Sequence, residues 1–338
     1  VLPGAVIRAV GRGHQKYFID QKSLEPEATL LAHSLAVVNT AQNPANVRKG
    51  NDRVMRARLA DARFFFEEDK KTPREQRASK LAGIVFHTRL GTVRDKVGRM
   101  EKLADYLARR VGLADADRAL AVRAASLCKT DLVTLMVGEF PELQGTMGRA
   151  YALASGEPPR VADAIRDHYA PVGQDGAVAK DDVARVVALA DRVDTLTGGF
   201  AVGLQPTGAA DPFALRRACI GLLRTLLEDA KPDYARIALS ELVAFAHGLF
   251  DKPLDLDAAG TAKVLDAFVT ERLRGLIESR TSRGAASAVL GGFAWIDGDR
   301  KAPAEHPAFA LAKARALQKL LDEKAPWLDK ARTVGKRL

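Results

Sequence analysis

Between residues 93 and 107 the apolar side chains Val93, Val97, Met100, Leu103 and Leu107 recur at intervals of four, three, three and four. A helix sets such a series on one face, so this stretch predicts an amphipathic helix that needs partner surfaces for its stripe. The chain that follows supplies them. ADADRALAVRAASLCKTDLVTLMVGEF reads as a second long helix, richer in alanine and so more buried. PRVADAIRDHYAP predicts a shorter third, and KDDVARVVALADRVDTLTGGF a fourth, ended by the Gly198-Gly199 pair. Successive helices through residues 80–200, with no strands alternating between them, specify a helical bundle.

The flanks differ. Within residues 1–45, AVIRAV and QKYFID are short apolar or aromatic runs compatible with strands, and LLAHSLAVVN is ambiguous between strand and helix. From Asn51 the pattern turns helical, with arginines on the exposed side. Phe64, Phe65 and Phe66 occupy consecutive helical positions and cannot share one face, which favours core packing over base stacking. Thr72-Pro73-Arg74-Glu75 resembles a helix start, with Thr72 as N-cap and Pro73 first. Asp211-Pro212 reads the same way before FALRRACIGLLRTLLED. Further helices are expected over 233–280, a hinge-like Gly/Ala stretch over 281–306 and basic helices over 307–338. A chain of 338 residues exceeds one ordinary core and implies two or three domains.

Lysine and arginine number 52 against 42 acidic residues, a net charge of +10. The surplus gathers near the ends: six basic and two acidic residues lie between Arg48 and Arg63, ten and four from Arg300 onward. A positive surface favours polyanions, because phosphate contacts release counterions. No apolar run approaches the ~20 residues that span a bilayer, and VLPGAVIRAVGRG lacks the organisation of a signal peptide. Cys128 and Cys219 lie in apolar helical stretches, as two buried free thiols in a reducing compartment would. No membrane partner is expected, and a cytoplasmic location is.

Chemistry has two candidate settings. Metal-dependent HD-type phosphohydrolases bring a His, an adjacent His-Asp pair and a late Asp together on a divalent ion that activates water. Here the corresponding candidates are His87, Asp131, and Asp191 or Asp194. Thr130 stands where the pair needs histidine, and a threonine hydroxyl is a poor ligand for transition metals. The expectation is a degenerate site with no metal and no catalytic residue. The loop GGFAVGLQPTGAADP lacks a P-loop's lysine and spacing, but Arg216 and Arg217 follow it in the first turns of a helix. They could grip phosphate there or form ion pairs with neighbouring helices. Glu139 and Glu142 in EFPELQGTMG have no partner nucleophile or metal in sight, so that motif reads as a specific turn or interface.

Taken in order, several segments resemble the β subunit of bacterial-type glycyl-tRNA synthetase. They are His14–Phe18, Gly50–Asp69, Phe86–Ala104, Cys128–Ala152 and Ala188–Arg224, and more weakly Lys330–Leu338. The resemblance implies an enzyme of two α and two β subunits. In it the α subunit makes glycyl-adenylate with ATP and Mg, and the β subunit binds and positions tRNA(Gly). It implies no cofactor in this chain, which is expected to be inactive alone. It also implies a fragment about half the family's length, running from late in a B3/B4-like region to the start of an anticodon-binding domain.

The expected fold is mainly α: an HD-like helical bundle with further helical C-terminal segments and a small partial α/β N-terminal piece. The expected divisions are 1–75, 76–205 (HD-like), 206–280 and 281–338. Candidate tRNA contacts are Arg53, Arg56, Arg94, Lys96, Arg216, Arg217, Lys336 and Arg337. Two competing readings remain: an HD-type nucleotide phosphohydrolase, motivated by His87, Asp131 and Asp194, and a scaffold that only binds the α subunit.

Overall fold

The computed structural model describes residues 2–323, except 14–15, 24–27, 41, 174–175, 209, 229–231, 293 and 297–298, and also residue 327. The fold is mainly α, with three two-stranded antiparallel hairpins among the described residues. Helix α1 (Gly4–Gly13) precedes β1 (Phe18–Gln21) and β2 (Leu30–Leu35), which pair with Phe18 opposite Leu35. The long α2 (Pro44–Lys71) and the short α3 (Arg74–Lys80) lead to the hairpin β3 (Val85–His87) and β4 (Gly91–Thr92). The bundle follows as α4 (Val93–Arg110), α5 (Asp115–Leu127), α6 (Leu135–Glu139), α7 (Thr146–Ala154), α8 (Pro159–Asp167) and α9 (Asp182–Ala201). Beyond it lie α10 (Leu215–Leu227), α11 (Leu239–His247), α12 (Ala258–Glu278) and α13 (Arg283–Leu290). The hairpin of β5 (Ala294–Ile296) and β6 (Asp299–Lys301) and then α14 (Pro307–Asp322) complete the order. Among the described residues no helix is long and apolar enough to cross a membrane.

Helix α9 is the axis of the molecule. Buried on nearly every side, it is covered by α4, α5, α8, α10, α11 and α12. The α4 stripe is fully inside: Val97, Met100, Leu103 and Leu107 are each 0% exposed. One continuous core runs from Met100 to Ala314, with Cys128 and Cys219 buried in it as free thiols. A second core joins Val6 and Val10 of α1 to Ala62 and Phe66 of α2 and to Met136, Phe140, Met147 and Tyr151.

Several local expectations are corrected. AVIRAV is helical, because Val6, Ala9 and Val10 form an i, i+3, i+4 set buried against the second core. The α3 helix starts one residue later than its sequence signal, with Pro73 rather than Thr72 at the N-cap. Gly198-Gly199 does not end α9, which runs to Ala201. A Cβ at Gly198 would lie 2.8 Å from the Phe250 ring, and one at Gly199 3.1 Å from Leu215, so the pair permits close packing. Helix α10 begins at Leu215, and Asp211 caps it from four residues upstream through the amides of Leu215 (2.7 Å) and Arg216 (3.0 Å).

The second long helix is also broken. It stops at Leu127, turns through a 3-10 segment at Thr130–Val133 and restarts at Leu135. Polar side chains make the break. The Thr130 hydroxyl donates to the Leu127 carbonyl (2.7 Å), and Thr134 caps α6 by accepting from the Val137 amide. Asp69 of α2 accepts from the Leu135 (2.8 Å) and Met136 (3.1 Å) amides and from the Tyr151 hydroxyl (2.6 Å). This interruption aims Lys129 and Asp131 inward.

Candidate functional site: a buried ion cluster

Helices α4 and α9 cross with their charged residues facing each other. Lys96 and Arg99 are one turn apart on the buried side of α4, and Asp191 and Asp194 are one turn apart on α9. The Lys96 ammonium reaches Asp191 Oδ1 (2.9 Å), Asp194 Oδ2 (3.0 Å) and Thr195 Oγ1 (2.7 Å). Arg99 donates through Nε to Asp194 Oδ1 (2.5 Å) and through Nη1 to the Leu90 carbonyl (3.2 Å), and its guanidinium lies 4.1 Å from the centre of the Phe250 ring. From the helix break, Lys129 donates to Asp191 Oδ2 (2.8 Å) and meets His168 Nε2 at 2.9 Å, with the Tyr169 ring centre 4.1 Å away.

Each oxygen of Asp191 therefore carries an ammonium group. Burial would raise its pKa, but Lys129 and Lys96 outweigh burial and hold it well below the usual carboxylate range. His168 shows the opposite balance. Burial and then the Lys129 charge push its pKa well below the usual histidine value, so the ring is neutral. Its Nδ1 lies 2.7 Å from the Ile165 carbonyl. The proton sits on Nδ1 in that arrangement, and Nε2 accepts from Lys129. Neither nitrogen has a lone pair left for base chemistry.

Asp131 lies apart from these carboxylates in its own cradle. Its Oδ2 accepts from the backbone amides of Gly145 (2.6 Å) and Gly148 (3.0 Å), whereas its buried Oδ1 has no partner among the described residues. Burial raises its pKa despite the two amides. The cradle explains EFPELQGTMG as a turn. Gly145 takes φ +81°, and a Cβ on Gly148 would stand 2.6 Å from Ile165 and 3.1 Å from Asp131 Oδ2. Glu139 pairs with Arg58, and Glu142 is exposed.

Of the positions expected of an HD-type site, the structure brings Asp191 and Asp194 together and leaves His87 elsewhere. His87 accepts from the Arg89 amide (3.3 Å) and packs edge-on to Phe213. Lys96, not His87, faces the late aspartates. The donor set does not fit a divalent ion. Both oxygens of Asp191 and both of Asp194 face cations, Asp131 Oδ2 is held by amides, and the Thr130 hydroxyl is turned to a carbonyl. No group of three His, Cys, Asp or Glu among the described residues is placed to hold a metal. Two ammonium groups occupy the electrostatic role that a bound cation would have beside Asp191.

The candidate phosphate contacts divide in the same way. Arg53, Arg56, Arg94 and Arg217 are exposed. Lys96 is 4% exposed and committed to carboxylates, which corrects its expected role as a surface cation. Arg216 turns back on its own loop, donating to the Ala210 (3.2 Å) and Gly208 (2.6 Å) carbonyls. Asp211 occupies the helix-end amides that would have joined it in a phosphate cradle. Lys336 and Arg337 lie outside the described residues. Sequence reasoning missed Arg99 and Lys129, whereas His168 reads in the sequence as a helix-end polar contact and is one. The available signal was Lys96 and Arg99 at i, i+3 within an apolar stripe, where a solvated pair is out of place.

The sequence profile described as Glycyl-tRNA synthetase beta subunit matches residues 1–291. The chain is 46% identical over 267 residues to the glycine–tRNA ligase beta subunit of Trichlorobacter lovleyi, covering 79% of this chain and 36% of that protein. It is 50% identical over 230 residues to the beta subunit of Phenylobacterium zucineum (67% and 34%). It is 42% identical over 318 residues to that of Desulforudis audaxviator (91% and 45%). The chain thus spans less than half the length of these curated relatives.

Proposed function

The chain belongs to the glycyl-tRNA synthetase beta-subunit family, and from that premise we propose that it binds and positions tRNA(Gly) for glycylation carried out by a separate α subunit. In this reading ATP, Mg and glycine are handled by the α subunit, and the holoenzyme is a cytoplasmic assembly of two α and two β chains. The reading includes the division into 1–75, 76–205, 206–280 and 281–338, with the HD-like bundle second. The observation that carries it is the family match over residues 1–291. The ion cluster supports a binding role over a hydrolytic one. Its histidine has no free nitrogen, and its carboxylates face cations rather than a metal-bound water. A phosphohydrolase built on His87, Asp131 and Asp194 finds no support in this arrangement.

Co-purification of the chain with the α subunit, with and without tRNA(Gly), tests the proposal. Retention of both partners is the expected outcome. Retention of the α subunit with no tRNA binding would leave only a scaffold. Nucleotide hydrolysis with stoichiometric metal, both lost in Asp131→Ala, would restore the phosphohydrolase reading.

A further inference from the structure

Helix α2 presents one face to solvent and anchors the other. Ala62, Phe66 and Asp69 are buried, and Arg58 on that side pairs with Glu139. Asp69 ties the end of the helix to the α6 amides and to Tyr151. The outer face carries Lys49, Arg53, Arg56 and Arg63, all exposed. At about 100° per residue these four fall within a sector of about 80°, and at 1.5 Å per residue they extend along roughly 20 Å of helix.

Among the described residues none of the four is tied to a carboxylate. Several arginines elsewhere are neutralised by carboxylates, Arg89 by Asp255, Arg160 by Asp117 and Asp181, Arg149 by Asp163 and Arg110 by Glu241, while others such as Arg217 and Arg236 are exposed and unpaired among the described residues but stand singly. The four on α2 have no hydrogen bond or ion pair among the described residues. Phe64 stands at the edge of the same sector and is 58% exposed, while Phe66, on the opposite side of the helix, is buried. The sequence reading assigned this aromatic run to the core. The structure splits it and leaves one ring outside.

We propose that this face of α2 is an RNA-contact surface, in which Lys49, Arg53, Arg56 and Arg63 follow a run of backbone phosphates and Phe64 stacks on an unpaired base. Unpaired cations in a line on a rigid helix match a polyanion's repeating charge, and an exposed ring beside them matches the flat face of a base. The inference rests on the reading that the partner is tRNA, and it names where on the chain that partner lies.

The test is a filter-binding titration of the chain with tRNA(Gly) over a range of salt, using wild type, Arg53→Glu/Arg56→Glu and Phe64→Ala. Thermal melting checks that each variant folds. The double variant is expected to bind more weakly, with a log–log salt slope smaller by about two, one per lost phosphate contact. Phe64→Ala is expected to weaken binding roughly five- to hundredfold at unchanged slope, as the loss of a stacked base does. Folded variants with wild-type affinity and slope would overturn the surface assignment while leaving tRNA binding intact. A wild-type chain that binds no tRNA would remove the functional reading as well. Variants that keep tRNA but lose the α subunit would assign this face to protein and overturn the proposal.

Discussion

Lys129 Nζ sits 2.8 Å from Asp191 Oδ2 and 2.9 Å from His168 Nε2, so one ammonium joins a helix break, the central helix and the end of α8. Asp191 meets a second ammonium, Lys96, on its other oxygen. The two partners are not equivalent: the carboxylate serves two cations, and each cation has other acceptors. Asp191→Asn should therefore cost more stability than Lys129→Met. Removing one side of a buried ion pair costs about 3–5 kcal/mol, and Asp191→Asn is expected in that range. Urea denaturation of both variants checks the order, and a larger loss for Lys129→Met would contradict it.

The same cluster sets a pH dependence. His168 is neutral in the folded chain, with a pKa well below the usual value, whereas in the unfolded chain it takes a proton near pH 6.5. The unfolded state thus gains a proton first as pH falls, and stability declines from about pH 6.5 downward by at most ~1.4 kcal/mol per pH unit from this group. Asp191 acts in the same direction at lower pH. Its folded pKa is depressed, so its contribution is present above the unfolded value near 3.9 and is lost as pH falls through the folded one. His168→Gln should flatten the decline between pH 7 and 5 relative to wild type. Denaturation midpoints at a series of pH values provide the comparison, and parallel curves would contradict the neutral-histidine assignment.

Asp131 accepts two backbone amides on one oxygen and has none on the other. An asparagine can keep its carbonyl toward Gly145 and Gly148 and place its NH2 where Oδ1 stands. Asp131→Asn is expected to change stability by less than ~1 kcal/mol, whereas Asp131→Ala orphans two buried donors at about 1–3 kcal/mol. Thermal melts of the two variants separate these outcomes. Equal losses would mean that the carboxylate charge, rather than the amide cradle, is what matters.

Arg216 and Arg217 adjoin in sequence but differ in what they are free to do. Arg216 is held by loop carbonyls, whereas Arg217 is exposed. Charge reversal at Arg217 should reduce tRNA affinity and the salt slope by about one, and reversal at Arg216 by less. Filter binding of the single variants at several salt concentrations decides it.

The bundle was legible where periodicity was long. Val93 to Leu107 all went inside as the four-and-three spacing requires, and the alanine-rich stretches supplied their partners. Short segments were less readable. The β-branched run AVIRAV looks extended until its i, i+4 set meets a core that comes from α2 and α7. The break at Lys129–Thr134 is not legible locally because it depends on Asp69, 66 residues before the Leu135 amide that it caps. The ion cluster was half visible. Aspartates at 191 and 194 stand out in an apolar stretch, but a lysine ordinarily belongs to the surface, and only the crossing of α4 over α9 turns Lys96 into a core residue.

We propose that this chain binds tRNA through its surface charge, and that the interior of its bundle is filled by its own cations. An equilibrium titration of the wild-type chain with tRNA(Gly) against salt concentration tests it most directly. The predicted result is saturable binding whose log–log salt plot falls with a slope steeper than about −2, reporting several released counterions. Absent binding, or an affinity indifferent to salt, would contradict it.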